Sequence, residues 1–96
     1  MPTWDQLAPF RDDFKNLTTA QRAAFRRAIT KFVRDLQAGQ FRAGLRVKKM
    51  QGHEHIWEMT WADDGRATFH YGPAVHDGEV HIIWRRVGTH DIFNRP

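Results

Sequence analysis

The spacing of apolar residues changes once along this chain of 96 residues, and that change limits the fold more than any other feature. Before Gly39 the apolar residues recur every three or four positions, which is the period of one face of an α-helix. From Leu45 onward they alternate with polar residues, which is the period of a β-strand. The sequence therefore predicts a helical first part and a second part built from strands.

Two helices are predicted in the first part. Apolar residues spaced at i, i+4 and i+7 indicate the first one: Phe10, Phe14 and Leu17. Thr18 and Gln21, three positions apart, match a capping box that opens a second helix. Gly39 is a natural stop, so this helix is predicted over residues 19–38.

Three or four antiparallel strands are predicted in the second part. The candidate strands cover residues 45–50, 54–61, 66–71 and 79–87. The run from Asp63 to Gly65 indicates a tight turn between the second and third of them. Pro2 and Pro9 bracket the segment 4–10 and disfavour a helix there, which leaves a first strand or an irregular lead-in.

The composition fits one domain over residues 1–96 with a modest core. The chain has no cysteine and no apolar run near the ~20 residues of a membrane span, so we expect a cytoplasmic protein without membrane contact. Its net charge is +4, but residues 41–96 carry eight basic and seven acidic groups. Charge alone is thus a weak argument for a nucleic-acid partner.

A basic face is predicted on the side of the sheet that does not pack on the helices. Alternation places the following residues there, with one of Arg85 and Arg86 joining them: Arg46, Lys48, Glu58, Arg66, Thr68 and His70. Clustered cations favour a bound phosphate. The alternative is a solvated face on which Glu58 and nearby aspartates balance the charge.

His90 and Asp91 follow the last predicted strand, where a rigid sheet edge often positions catalytic side chains. Imidazole exchanges a proton near neutral pH. RNA cleavage needs a deprotonated 2′-hydroxyl, a stabilised phosphate charge and a protonated 5′-oxygen, which such side chains supply without a metal. The alternative is that Asp91 caps a final turn and His90 only accompanies it.

Two other patterns have a functional and a structural interpretation. His53 and His55 are two apart with no third ligand nearby, so we expect no metal site and no cofactor. Three tryptophans could stack on bases, although core packing is favoured because they fall on apolar strand faces: Trp57, Trp61 and Trp84.

Taken in order, several segments make the chain similar to the RelE/ParE superfamily of bacterial toxins, and more closely to its RelE-like mRNA interferase branch. The segments that carry this resemblance are Phe14-Lys-Asn-Leu-Thr, Phe32-Val-Arg-Asp-Leu, Leu45-Arg-Val-Lys-Lys-Met-Gln-Gly, Ile56-Trp-Glu-Met, Asp64-Gly-Arg-Ala-Thr-Phe and Trp84-Arg-Arg-Val-Gly-Thr-His-Asp-Ile-Phe. The resemblance covers most of the chain.

The resemblance implies an α+β fold in which two N-terminal helices pack on one face of a curved, mainly antiparallel sheet of three or four strands. It also implies a type II toxin that cleaves mRNA in the ribosomal decoding site by 2′-hydroxyl attack and leaves a cyclic phosphate. The implied partners are mRNA, the ribosome and a cognate antitoxin.

The resemblance also implies roles for individual residues. It gives RNA contacts to Arg46, Lys48 and Lys49, and the scissile phosphate to Arg66. Phe93 stands where the family commonly has a stacking tyrosine; because it has no hydroxyl, acid–base work falls to His90, Asp91 or a lysine. The expected catalytic residues are His90, Asp91, Arg66 and Lys48, and the expected RNA-binding residues are Arg46, Lys49, Arg85, Arg86 and Phe93.

Two alternatives to an RNA-cleaving enzyme stay open. The same surface could inhibit DNA gyrase, as the ParE branch does, without cutting RNA. The chain could also act chiefly by binding an acidic or amphipathic helix of its antitoxin along an apolar groove.

Overall fold

Helices and strands follow one another as the change of period predicts, in a computed structural model that describes residues 2–96. The α-helices are α1 (Ala8–Asn16) and α2 (Thr19–Ala38). The strands are β1 (Thr3–Gln6), β2 (Lys48–Lys49), β3 (Trp57–Thr60), β4 (Gly65–Gly72) and β5 (His81–Thr89). Two short 3₁₀ helices cover Ala43–Leu45 and His90–Asn94.

The strands form one sheet in the order β1-β5-β4-β3-β2. Strand β1 runs parallel to β5, and the other neighbours are antiparallel. The predicted α+β class and mainly antiparallel sheet are confirmed. The number of strands exceeds the predicted three or four because β1 joins the edge at β5.

The ambiguous segment 4–10 divides between two elements. Trp4 pairs with Ile82 in β1, so the interpretation as a first strand is correct for its first half. Its second half begins α1, with Pro9 in the first turn. Proline is tolerated there because the N–H groups of the first turn have no partner within the helix.

Helix α2 has the predicted bounds and caps. The Gln21 N–H donates to Thr18 Oγ1 over 3.1 Å, and the Thr18 N–H donates to Gln21 Oε1 over 2.8 Å. This completes a capping box. Gly39 ends the helix in the left-handed conformation, with φ of 83°.

The core lies between the helices and one face of the sheet. Phe32 of α2 packs edge-on against Phe69 of β4, with ring centroids 5.2 Å apart. Trp61 and Trp84 are buried in the same cluster, and the half-buried Trp57 packs against it. These three side chains support the core rather than an exposed stacking surface.

A β-bulge interrupts the pairing of β4 with β5. Thr68 pairs with Arg86, whereas the next residue, Phe69, pairs with Trp84, so Arg85 is the extra residue. Trp84 and Val87 are both buried although they are three positions apart. The expectation that only one of Arg85 and Arg86 leaves the core face was therefore wrong.

The predicted strand 45–50 is reduced to two residues. Leu45 ends a 3₁₀ helix and is buried, and Arg46 has a φ of 47°, so only Lys48 and Lys49 pair with β3. The predicted strand 54–61 likewise begins only at Trp57. Within residues 2–96, no helix combines the length and apolar character needed to cross a membrane.

Candidate functional site

The face of the sheet turned away from the helices is called the outer face here. It carries Glu58, Arg66, Thr68, His70, Arg85 and Arg86, as the pairing register and the burial of their neighbours show. Arg66 and His70 are four residues apart on β4, so their rows are separated by about 13 Å. The polar residues of this face fall into separate groups.

The first group, called the turn cluster, consists of Asp64, Arg66, His90 and Asp91. Gly65 pairs with Thr89, which brings the turn before β4 next to the end of β5. His90 Nδ1 lies 2.6 Å from Asp64 Oδ1, and its Nε2 lies 3.5 Å from Asp91 Oδ1. The structure thus brings together three of the four predicted catalytic residues.

The two carboxylates favour the charged form of His90. The hydrogen bond to Asp64, with the charges of Asp64 and Asp91, raises the pKa of His90. The same hydrogen bond lowers the pKa of Asp64. Both side chains are well exposed, so the imidazolium is accessible to a ligand.

The guanidinium of Arg66 is held against the turn before β4. Its Nη1 donates to the carbonyl oxygens of Ala62, Asp63 and Gly65 at 3.3, 3.2 and 2.9 Å. Within residues 2–96, Nε and Nη2 have no such acceptor. These two donors are left to bind an anion in the forked geometry that suits a phosphate.

Thr89, and not Asp91, caps the C-terminal 3₁₀ helix. The Asp91 N–H donates to Thr89 Oγ1 over 3.4 Å, while the Asp91 carboxylate stays exposed beside His90. The interpretation of Asp91 as the capping residue was therefore wrong.

A second group, the mid-sheet pair, consists of His70 and Arg85. Arg85 Nη1 lies 3.1 Å from His70 Nδ1, and because arginine only donates, Nδ1 accepts and the neutral ring carries its proton on Nε2. Burial, and then the charges of Arg85 and His55, lower the pKa of His70. The alternation of polar and apolar residues correctly placed His70 on this face, but His70 was not among the expected catalytic residues.

Arg86 is committed to the fold. Its Nη2 lies 3.1 Å from Asp13 Oδ1 of α1, and its Nη1 donates to the Arg95 carbonyl oxygen over 3.0 Å. Asp13 also accepts the Val87 N–H over 3.2 Å. This carboxylate thus covers the part of the β5 edge that β1 does not reach, and Arg86 is less available to RNA than predicted.

The basic residues expected on one strand diverge. Lys48 Nζ lies 3.8 Å from Glu58 Oε1 on the outer face, two strands away from β4. Lys49 points to the opposite side, with Nζ 5.8 Å from the centre of the Trp57 ring. Arg46 lines a cavity together with residues of α2. Lys48 does not join Arg46 and Arg66, so the prediction that these three residues converge was wrong for Lys48. Arg46 turns the chain before the strand begins and lines a cavity with Arg66 instead of sharing a strand face with Lys48.

The C-terminal 3₁₀ helix packs against β4 and β5. Its Ile92 is buried, with Cγ2 only 3.0 Å from where a Cβ on Gly88 would lie. Phe93 is half-buried in the same helix.

Thr68 of β4 is buried, and its Oγ1 has no hydrogen-bond partner within residues 2–96.

Metal ligands do not assemble in the described part of the chain. His53 and His55 are exposed in the connection between β2 and β3. No group of three or more histidine, cysteine, aspartate or glutamate side chains within residues 2–96 could hold an ion.

Similarity to known proteins lies in the fold. No family model matches the sequence, and no curated protein matches it. The YoeB/ParE toxin from Agrobacterium tumefaciens superposes with a TM-score of 0.66 at 11% identity, covering 92% of this chain and 98% of that one. The chain has the fold of the RelE/ParE-type toxins.

Two Escherichia coli proteins with this RelE/ParE-type fold extend the comparison. YafQ from strain BL21(DE3) has a TM-score of 0.64 at 11% identity and covers 97% of this chain and 98% of its own. A chain of the intact RelBE toxin–antitoxin complex has a TM-score of 0.60 at 17% identity, with coverages of 93% and 96%. Since a fold hosts more than one activity, the function has to be argued from the site.

Proposed function

We propose that this protein is the toxin of a type II toxin–antitoxin system and cleaves mRNA on the ribosome in the cytoplasm, with residues 1–96 acting as one domain. The observation that carries the proposal is His90, whose protonated form is favoured by Asp64 and Asp91 next to the partly free guanidinium of Arg66. A proton donor and a phosphate-binding group, placed together where β4 begins and β5 ends, are two of the groups that RNA transesterification requires.

In the proposed reaction the 2′-oxygen attacks the adjacent phosphorus while the bond from phosphorus to the 5′-oxygen breaks. The Asp91 carboxylate accepts the 2′-hydroxyl proton, and His90 donates a proton to the departing 5′-oxygen. Arg66 stabilises the extra negative charge on the phosphate oxygens. The products are a 2′,3′-cyclic phosphate and a 5′-hydroxyl, with no metal ion in the reaction.

The remaining basic residues bind the RNA on either side of this phosphate. Lys48 and Arg85 on the outer face, with Lys49 and Arg46 at the sheet edge, supply sequence-independent contacts. Phe93 stacks on a base, which needs the aromatic ring but no hydroxyl. Lys48 lies two strands away from β4, so its contribution is to bind RNA more than to stabilise the reacting phosphate.

An antitoxin is the proposed protein partner. An apolar groove runs between α1, α2 and the β1 edge, lined by half-buried Phe14, Ile29 and Val33 and by Trp4, which is 64% exposed. Arg26 lies on its rim. This combination suits an amphipathic segment with acidic residues, and similar folds have been solved as toxin–antitoxin complexes, such as RelBE.

The test is cleavage of mRNA in stalled translating ribosomes by the purified protein, with the chemistry of the new ends determined. The wild type should still produce cyclic-phosphate ends when a chelator removes metal ions other than Mg²⁺. His90→Ala and Arg66→Ala should each reduce the rate by at least about 100-fold. Arg34→Ala, an exposed residue of α2, is the matched control, and unchanged rates in both site variants would contradict the proposal.

Inhibition of gyrase is the second candidate. The absence of a hydroxyl at Phe93 favours it, because a binding surface needs no proton donor at that position. It predicts loss of gyrase supercoiling activity with intact transcripts. An unchanged supercoiling rate at saturating protein would exclude it.

A further inference from the structure

A second concentration of positive charge adjoins the turn cluster and shares Arg66 with it. A cavity of about 520 Å³ opens between α2, the first 3₁₀ helix and the turn before β4. It is called the basic cavity here, and five basic side chains line it: Arg27, Lys31, Arg42, Arg46 and Arg66. Asp63 is the acidic residue of its lining.

The local sequence builds this cavity. Arg27 and Lys31 are one helical turn apart on α2 and so share a face. Ala24 and Ala28, with their small side chains, leave space beside them. Because β2 pairs only as far as Glu58, the edge of β3 at Thr60 stays open and forms the opposite wall. The backbone of Arg46 is in the left-handed conformation, which turns the chain so that Arg46 itself lines the cavity.

Within residues 2–96, most of this charge has no counter-ion. Arg42 is paired, because its Nε and Nη2 donate to the two Asp35 oxygens at 2.7 and 2.8 Å, which lowers the pKa of Asp35 to about 2. Arg27, Lys31 and Arg46 have no hydrogen bond or ion pair from their side chains within residues 2–96. Like charges around one cavity repel each other, and a bound anion relieves that repulsion.

We propose that the basic cavity binds a phosphate of the RNA strand next to the one that is cut, which rests on the proposed function. Arg66 belongs to both sites, since it lines the cavity and is close enough for its charge to act on His90. A strand whose scissile phosphate lies at the turn cluster passes Arg66 and enters the cavity around the open edge of β3. Arg27 and Lys31 of α2 are thus RNA-binding residues.

The lining favours a phosphodiester chain over an acidic peptide. Peptides gain most affinity from apolar anchors in pockets, whereas Leu45 and Trp61 at the base of this cavity are already buried in the core. The exposed apolar surface lies in the groove that contains Trp4. The cavity volume of about 520 Å³ is enough for a phosphate group.

The experiment measures binding of a short single-stranded RNA whose 2′-hydroxyls are methylated, so that it cannot be cut, at a series of salt concentrations. Arg27→Gln/Lys31→Gln should reduce the magnitude of the slope of log Kobs against log salt by about 0.7, which corresponds to the loss of one neutralised phosphate on a single strand. The control is Arg34→Gln/Lys15→Gln, which removes the same charges from exposed positions outside the cavity and should leave the slope nearly unchanged.

Each outcome decides the proposal. Equal slopes for the two double variants, or no binding of this RNA by the wild type, would overturn it. The proposal would also be overturned if Arg27→Gln/Lys31→Gln lost binding of oligo-glutamate but kept binding of the RNA. Arg46→Gln provides an independent single substitution in case the double variant unfolds. Cleavage is measured separately. If the wild type cuts RNA but the two double variants have equal slopes, only the proposed cavity site is contradicted. If the wild type binds RNA through the cavity but does not cut it, only the proposed nuclease activity is contradicted.

Discussion

At the residue scale, the proposed function of the turn cluster depends on the charge state of His90. The sequence predicted Arg66, His90 and Asp91, because a histidine and an acid after a last strand are readable from the pattern. It did not predict Asp64 as the partner of His90. That contact depends on Gly65 pairing with Thr89, and pairing register is a tertiary property that short turns and alternation leave open.

The pH dependence of cleavage tests this charge state. In the proposed reaction His90 donates a proton and must therefore be protonated, so the rate should fall as the pH rises through the pKa of His90. Asp64→Asn removes the first cause of the raised pKa, and the alkaline limb should therefore move to lower pH. Rate–pH profiles and an NMR titration of His90 measure it. An unmoved limb would show that His90 is not the group that titrates.

His70 should respond in the opposite direction to loss of its neighbour. Burial is the main cause of its lowered pKa, and the charge of Arg85 is the next. Arg85→Gln removes that charge while keeping a donor, so the pKa of His70 should rise part of the way toward its ordinary value. NMR titration with Arg34→Gln as control measures this, and a fall in the pKa would contradict the Arg85–His70 contact.

At the element scale, helices were more predictable than sheet edges. The capping box and Gly39 are local signals, and they gave the bounds of α2. The bulge at Arg85 and the turn at Arg46 follow from packing of Trp84, Val87 and Leu45 in the core, which no short stretch of sequence specifies. Because β2 is shorter than the predicted strand 45–50, Arg46 and Lys48 do not lie on one strand.

Loss of the α2 cap should destabilise the protein measurably. Thr18→Ala removes the hydroxyl that accepts the Gln21 N–H and should lower the free energy of unfolding by about 1 kcal/mol. Thr19→Ala, at the next exposed position, should change it by less than about 0.5 kcal/mol. Urea denaturation measures both; equal losses would show that the cap contributes nothing specific.

Gly65 should tolerate no side chain, because a Cβ there would lie 2.5 Å from Cδ2 of the buried Trp61 ring. Trp61 is held by its Nε1 donating to the Arg66 carbonyl oxygen over 3.0 Å, so it cannot easily move. Gly65→Ala should cost about 1–3 kcal/mol of stability. Gly44→Ala meets no atom within 4 Å and is the control; similar denaturation midpoints for both would contradict this packing.

At the scale of the whole molecule, the sheet separates the surfaces for which a function is proposed. The helices and β1 form the apolar groove proposed for the antitoxin, the outer face carries the turn cluster, and the basic cavity lies between α2 and the β3 edge. The change of period predicted helices followed by strands, and the resemblance implied the α+β toxin fold that the superpositions support. The placement of the groove and cavity required the packed structure.

Cleavage of cellular mRNA after induced expression tests the central claim most directly. The 5′ ends of transcripts are mapped shortly after induction of the wild type, of His90→Ala and of Arg34→Ala at equal protein levels. New ends within coding regions should appear with the wild type and Arg34→Ala and disappear with His90→Ala. Growth arrest with intact transcripts, or identical ends from wild type and His90→Ala, would contradict an RNA-cleaving site built around His90.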